Sequence, residues 1–139
     1  MSAPRVLFVC VKNGGKSQMA AGLMRRAVAE HPEVPVEVAS AGTRPGTALN
    51  AASVRSLAEV GIDISGERPR ALTDEMVATA DLVVVLGDEA HVAPVGGTPV
   101  ETWVTDEPST RGVEGDERMR LVRDDIAARV EELHRRLGR

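Results

Sequence analysis

From Arg5 to Val9 the chain is almost continuously aliphatic, and after Cys10 the segment Lys12 to Ser17 breaks the run with Asn13-Gly14-Gly15. That pattern predicts a strand that ends in a tight loop. Met19, Ala20, Leu23, Met24, Ala27 and Val28 then recur at helical spacing until His31-Pro32, which predicts a helix from about Lys16 to Glu30. Val36 to Ala39 reads as a second strand. Asn50 is placed to cap a helix that carries Val54, Leu57, Ala58 and Val60 up to Gly61. Thr73 caps a short helix from about Asp74 to Thr79. Leu82 to Leu86 is apolar on both faces, as a central parallel strand must be. Val100 to Val104 reads as a fourth strand. From Glu117 to Leu137, Met119, Val122, Ile126, Val130, Leu133 and Leu137 fall three and four residues apart, the signature of a long amphipathic helix.

Strands that alternate with helices imply right-handed crossovers and a parallel α/β sheet, in which ligands bind beyond the carboxyl ends of the strands. Cys10, Ser40 and Gly87 are expected at such ends. The 139 residues suit a single domain, 1–139, and show no internal repeat.

Composition narrows the function classes. The net charge is −4, so the basic excess on which non-specific nucleic-acid binding draws is missing, and Phe8 and Trp103 are the sole aromatics. No apolar run approaches the roughly 18 residues of a membrane span, and the first strand is too short for a signal segment, so a cytoplasmic protein is expected. With one cysteine, Cys10, no mechanism can shuttle between two cysteines of this chain. His31, His91 and His134 are expected at the surface, and none has metal-ligand spacing with another, so no metal is assigned. Among 17 basic residues only Lys12 and Lys16 are lysine, and both fall in one loop.

That loop carries the candidate chemistry. Cys10-Val11-Lys12-Asn13-Gly14-Gly15-Lys16-Ser17 puts a thiol at a strand end, directly before a helix N-terminus. Inward amides, the positive helix end and a lysine ammonium favour a tetrahedral anion there and favour the thiolate as nucleophile. Val11, Lys12, Asn13, Gly14, Gly15, Lys16 and Ser17 are the oxyanion-binding candidates. Gly15-Lys16-Ser17 also matches the end of the nucleotide-binding loop G-x-x-x-x-G-K-[ST], but Cys10 replaces its first glycine.

The loop resembles the Cys-x5-Arg-Ser signature of low-molecular-weight protein tyrosine phosphatases and the arsenate reductases that share their fold. The resemblance extends through Val6-Leu-Phe-Val-Cys10, Asn13, Ser17-Gln-Met-Ala20, Ser40-Ala-Gly-Thr43, Gly61-Ile-Asp-Ile-Ser65, Leu82 to Leu86 and an acid-Pro pair after Trp103, nearly the whole chain. It implies a three-layer sandwich around a four-stranded parallel sheet of order 2-1-3-4. It further implies Cys10 as nucleophile, Asn13 as the residue that holds the loop's shape, Ser17 as donor to the thiolate, and Glu107 or its neighbour Asp106 as general acid.

Three departures from the family pattern point one way. Lys16 stands where the family has arginine, which removes the planar bidentate fork for phosphoryl transfer. Ser109 stands where an aromatic residue usually follows the acid-Pro pair. Gly87-Asp88-Glu89 occupies the place of a second cysteine in thioredoxin-linked members, so an adduct must pass to an external thiol. The run from Val11 to Ala20 is most similar to the single-cysteine arsenate-mycothiol transferases of actinobacteria. That similarity implies arsenate as substrate (phosphate or sulfate as mimics), mycothiol as cosubstrate, no bound cofactor, a mycoredoxin acting on the product, and a monomer or weak dimer. Whether Cys10 attacks arsenic or only helps hold the anion stays open at this level. A phosphatase and a noncatalytic oxyanion-binding module are the alternatives.

Overall fold

Val6, Leu7, Phe8 and Val9 are all buried, so the strand that holds them needs partners on both edges and cover on both faces. The computed structural model, which describes residues 3–139, supplies both. Strand β1 (Arg5–Cys10) pairs in parallel with β2 (Glu37–Gly42) on one side and β3 (Leu82–Leu86) on the other, and β4 (Val100–Trp103) pairs with β3. The sheet order is β2-β1-β3-β4, as the sequence implied.

Alternation along β1 and β3 divides the core in two. Val6, Phe8, Val84 and Leu86 face α1 (Lys16–Glu30), α2 (Ala51–Ala58) and α4 (Gly115–Leu137), where Met24, Leu57, Ile126 and Leu133 close the larger cluster. Leu7, Val9, Val83 and Val85 face the opposite way, against Val77 of the short α3 (Asp74–Thr79) and Ala80. Because every strand is parallel, all four carboxyl ends lie on one rim, with Cys10 on the central strand β1. No helix among the described residues is long and apolar enough to cross a membrane.

Several boundaries differ from the sequence reading, each for a local reason. β2 starts at Glu37 and runs on to Gly42, because its ladder with β1 continues to the pair Cys10 and Gly42; Ser40 therefore lies inside the strand. α2 stops at Ala58: Gly61 takes φ +82° and Ile62 N–H donates to the Leu57 carbonyl, a left-handed cap that closes the helix early. β4 ends at Trp103, leaving Val104 64% exposed. A 3-10 turn at Pro108–Arg111 precedes α4, which begins at Gly115. His134, expected at the surface, is only 5% exposed and its Nε2 lies 2.9 Å from the Val34 carbonyl, tying α4 to the segment before β2.

Ile126 is fully buried where α4 meets the sheet. Ile126→Ala is expected to lower unfolding free energy by about 2–5 kcal/mol in denaturant titrations, through lost burial and a residual cavity.

Candidate functional site

Cys10 is the last residue of β1 and Lys16 the first of α1, so the connecting loop is anchored at both ends by regular structure. What shapes it between is the direction of its carbonyls. The Cys10, Val11, Lys12 and Gly14 carbonyls accept from the N–H groups of Thr43, Arg44, Gly46 and Asn50, at 3.1, 2.8, 3.0 and 2.7 Å. The Asn13 carbonyl accepts from the Gln18 side chain at 3.2 Å, and the Gly15 carbonyl accepts from Met19 N–H at 2.9 Å as the first turn of α1. Each peptide is planar and trans, so an outward carbonyl turns the following N–H inward. The amides of Val11 through Lys16 thus line the concave side, where they form a nest for an anion. The first turn of α1 holds no acidic residue to compete for its positive end.

The side chains beneath the nest form a directed relay. Asn13 is fully buried and is the one non-glycine residue with positive φ among those described, at +54°. Its Oδ1 accepts from Arg70 N–H at 3.0 Å and from Gln18 at 3.2 Å, which fixes the amide so that Nδ2 points at Ser17. Nδ2 donates to Ser17 Oγ at 2.7 Å. With a donor already pointing at its oxygen, the Ser17 hydroxyl is free to give its proton to Cys10 Sγ, 2.9 Å away. Arg70 and Gln18 orient Asn13, Asn13 orients Ser17, and Ser17 alone reaches the sulfur.

Close packing requires the glycines here. A Cβ on Gly42 would sit 2.7 Å from the Val11 carbonyl oxygen, and one on Gly14 would sit 3.0 Å from that of Ala48. Lys16 is half-buried at the helix start and Lys12 is exposed. Neither lies within ion-pair distance of an acid among the described residues.

Asp106 and Glu107, the expected acids, follow β4, two strands from Cys10, and both carboxylates are engaged elsewhere. Arg118 donates to both oxygens of Glu107 at 2.8 and 2.7 Å. With help from Ser109, Arg118 brings the Glu107 carboxyl down from 4.5 to about 2. Arg111 donates to both oxygens of Asp106 at 2.9 Å and lowers its pKa likewise. In this arrangement both carboxyls are held by arginines, and both are shifted toward the charged form. Gln18 and Gly42 stand inside runs that carried the resemblance, but nothing in the sequence marks their contacts with the loop, or the backbones of Arg44 and Arg70 as donors to it.

A lone cysteine beside inward-turned amides, at the carboxyl end of a central parallel strand, is an arrangement that suits an oxyanion over a thiol. The sequence profile of the low molecular weight phosphotyrosine protein phosphatase family matches residues 5–139, and the chain belongs to that family. An arsenate reductase from Shouchella clausii is 35% identical over 136 residues, covering 94% of this chain and 94% of its own. A solved arsenate reductase in its phosphate-binding state superposes with a TM-score of 0.78 at 28% identity, over 96% of this chain and 98% of that one. The thioredoxin-dependent arsenate reductase of Corynebacterium glutamicum gives a TM-score of 0.78 at 29% identity over 97% of this chain, which spans 62% of the length of that protein.

Asn13→Ala removes the donor to Ser17 and puts a Cβ-bearing residue without a compensating amide at positive φ. It is expected to weaken phosphate binding about tenfold or more by calorimetry and to lower stability by about 1–3 kcal/mol. The Glu107 carboxyl is expected to titrate near 2 by carbon-detected NMR, and Arg118→Gln to bring it back toward 4.5. Since the folded pKa is depressed, Glu107 stabilises the fold above about 4.5 and loses that contribution as pH falls toward 2, a loss that Arg118→Gln reduces.

Proposed function

We propose that the protein is an arsenate reductase of the arsenate-mycothiol transferase type, acting in the cytoplasm in arsenic detoxification. The observation that carries this reading is the position of Cys10, the single cysteine of the sequence, at the floor of the amide nest with Ser17 aimed at its sulfur.

Arsenate docks with its oxygens on the amides of Val11 to Lys16, and the Lys16 ammonium adds charge without the in-plane fork of an arginine. The Cys10 thiolate attacks arsenic, an As–S bond forms, and one arsenate oxygen leaves as water after taking up protons from solvent. The thiolate of mycothiol then displaces Cys10, forming a new As–S bond and restoring the enzyme. Arsenic stays pentavalent in both steps. Reduction follows off the enzyme, when the thiolate of a mycoredoxin attacks the mycothiol sulfur, makes a mixed disulfide, and releases arsenite with the electron pair of the As–S bond.

Two features support an external thiol acceptor over a second protein cysteine, the lone Cys10 and Gly87-Asp88-Glu89 after β3, while the naming of similar proteins as arsenate reductases supports the substrate. The family match favours one second reading, a phosphatase. Against it stand Lys16 and the two acids held by Arg111 and Arg118.

Arsenate-dependent NADPH oxidation is expected with mycothiol, mycoredoxin and the mycothione-reducing system, with loss of more than about 10³-fold in Cys10→Ser, as for removal of a nucleophile. Thioredoxin alone is expected to give none. Hydrolysis of p-nitrophenyl phosphate without arsenate turnover would establish the phosphatase instead.

A further inference from the structure

Among the described residues, the cations divide cleanly by place. Arg5, Arg25, Arg26, Arg55, Arg111, Arg118, Arg120, Arg123, Arg129, Arg135, Arg136 and Arg139 each hold an acidic side chain. Lys12, Lys16, Arg44, Arg68 and Arg70 do not. All five belong to the nest loop or are joined to its frame by backbone hydrogen bonds. Arg44 N–H donates to the Val11 carbonyl at 2.8 Å, Arg70 N–H to Asn13 Oδ1 at 3.0 Å, and the Arg68 carbonyl accepts from Gln18 at 3.2 Å. Arg44, Arg68 and Arg70 are exposed.

The placement is also one-sided. Arg44 follows β2, and the bridge between Gly42 and Ala71 brings Arg70 alongside the same strand end. On the other flank of β1, Asp88 and Glu89 follow β3 and hold no cation. A chain of net charge −4 repels a dianion at long range, and at physiological salt only charges within about 8–10 Å of the loop can reverse that locally.

We propose that Arg44, Arg68 and Arg70, with Lys12, form an outer collar that captures dianionic oxyanions from the β2 side and raises their occupancy of the nest. The proposal rests on the reading of the loop as an oxyanion site and assigns these arginines to affinity, with the chemistry left to Cys10. Cation pairing elsewhere keeps competing anion sites off the rest of the surface, while the collar gives up ion pairs that surface arginines of this chain otherwise make.

The test is calorimetric binding of inorganic phosphate to the full chain at about 20 and about 300 mM ionic strength, which span strong and weak screening. Wild-type affinity is expected to fall about tenfold across that range. The triple variant Arg44→Gln, Arg68→Gln, Arg70→Gln is expected to bind about fivefold or more weakly at low salt, with a flattened salt dependence. Its counterpart with three lysines is expected to restore both. A control of equal charge change at the far end of α4, Arg135→Gln, Arg136→Gln, Arg139→Gln, is expected to stay within about twofold of wild type. Equal weakening in both glutamine triples would assign the effect to net charge and overturn the collar, as would no weakening in either. A wild type that binds no phosphate would instead overturn the reading of the loop itself.

Discussion

Everything at this site depends on the planarity of the peptide unit and on where six consecutive carbonyls of the loop are sent. The carbonyls of Cys10 through Gly15 are each taken by a donor outside the concavity, so the amides that follow them converge within it. The donors come from the segment after β2 and from α1, which makes the nest a property of the tertiary fold. Gly42 and Gly14 permit the close approach of those strands of chain, and Asn13 accepts a left-handed conformation that its own side chain helps to hold.

Charge is organised around the same point. α1 starts with Lys16 and carries no acid in its first turn, and among the described residues the cations without an acidic partner lie in the loop or in segments hydrogen-bonded to it. The acids after β4 are held by Arg111 and Arg118, and the Glu107–Arg118 pair ties the 3-10 turn to the start of α4. A loop built in this way gathers backbone donors and positive charge beside the Cys10 sulfur, an arrangement suited to a tetrahedral anion.

Much of this was legible in the residues. The period of the apolar positions located the four strands and the main helices, and the glycine-rich break after Cys10 located the nest. Boundaries were less so, because the pairing of Cys10 with Gly42 and the cap at Gly61 are set by neighbours in space. Neither His134 nor Arg123 advertises its burial: each lies on a helix among charged residues and is drawn in by a carbonyl, that of Val34 or of Ser56. The fate of Asp106 and Glu107 was equally hidden, since the arginines that hold them come from a turn and a helix that follow. Gln18 looked like an ordinary residue of the first helical turn, and only the fold shows it spanning Asn13 and Arg68.

The amides from Val11 to Lys16 turn toward one concavity, an arrangement suited to holding a tetrahedral anion together. The most direct measurement is a proton–nitrogen NMR titration of the labelled protein with arsenate or phosphate. Concerted downfield shifts of those amide protons, saturating with one binding constant, are the result expected here. Shifts centred on other segments, with these amides unmoved, would contradict it.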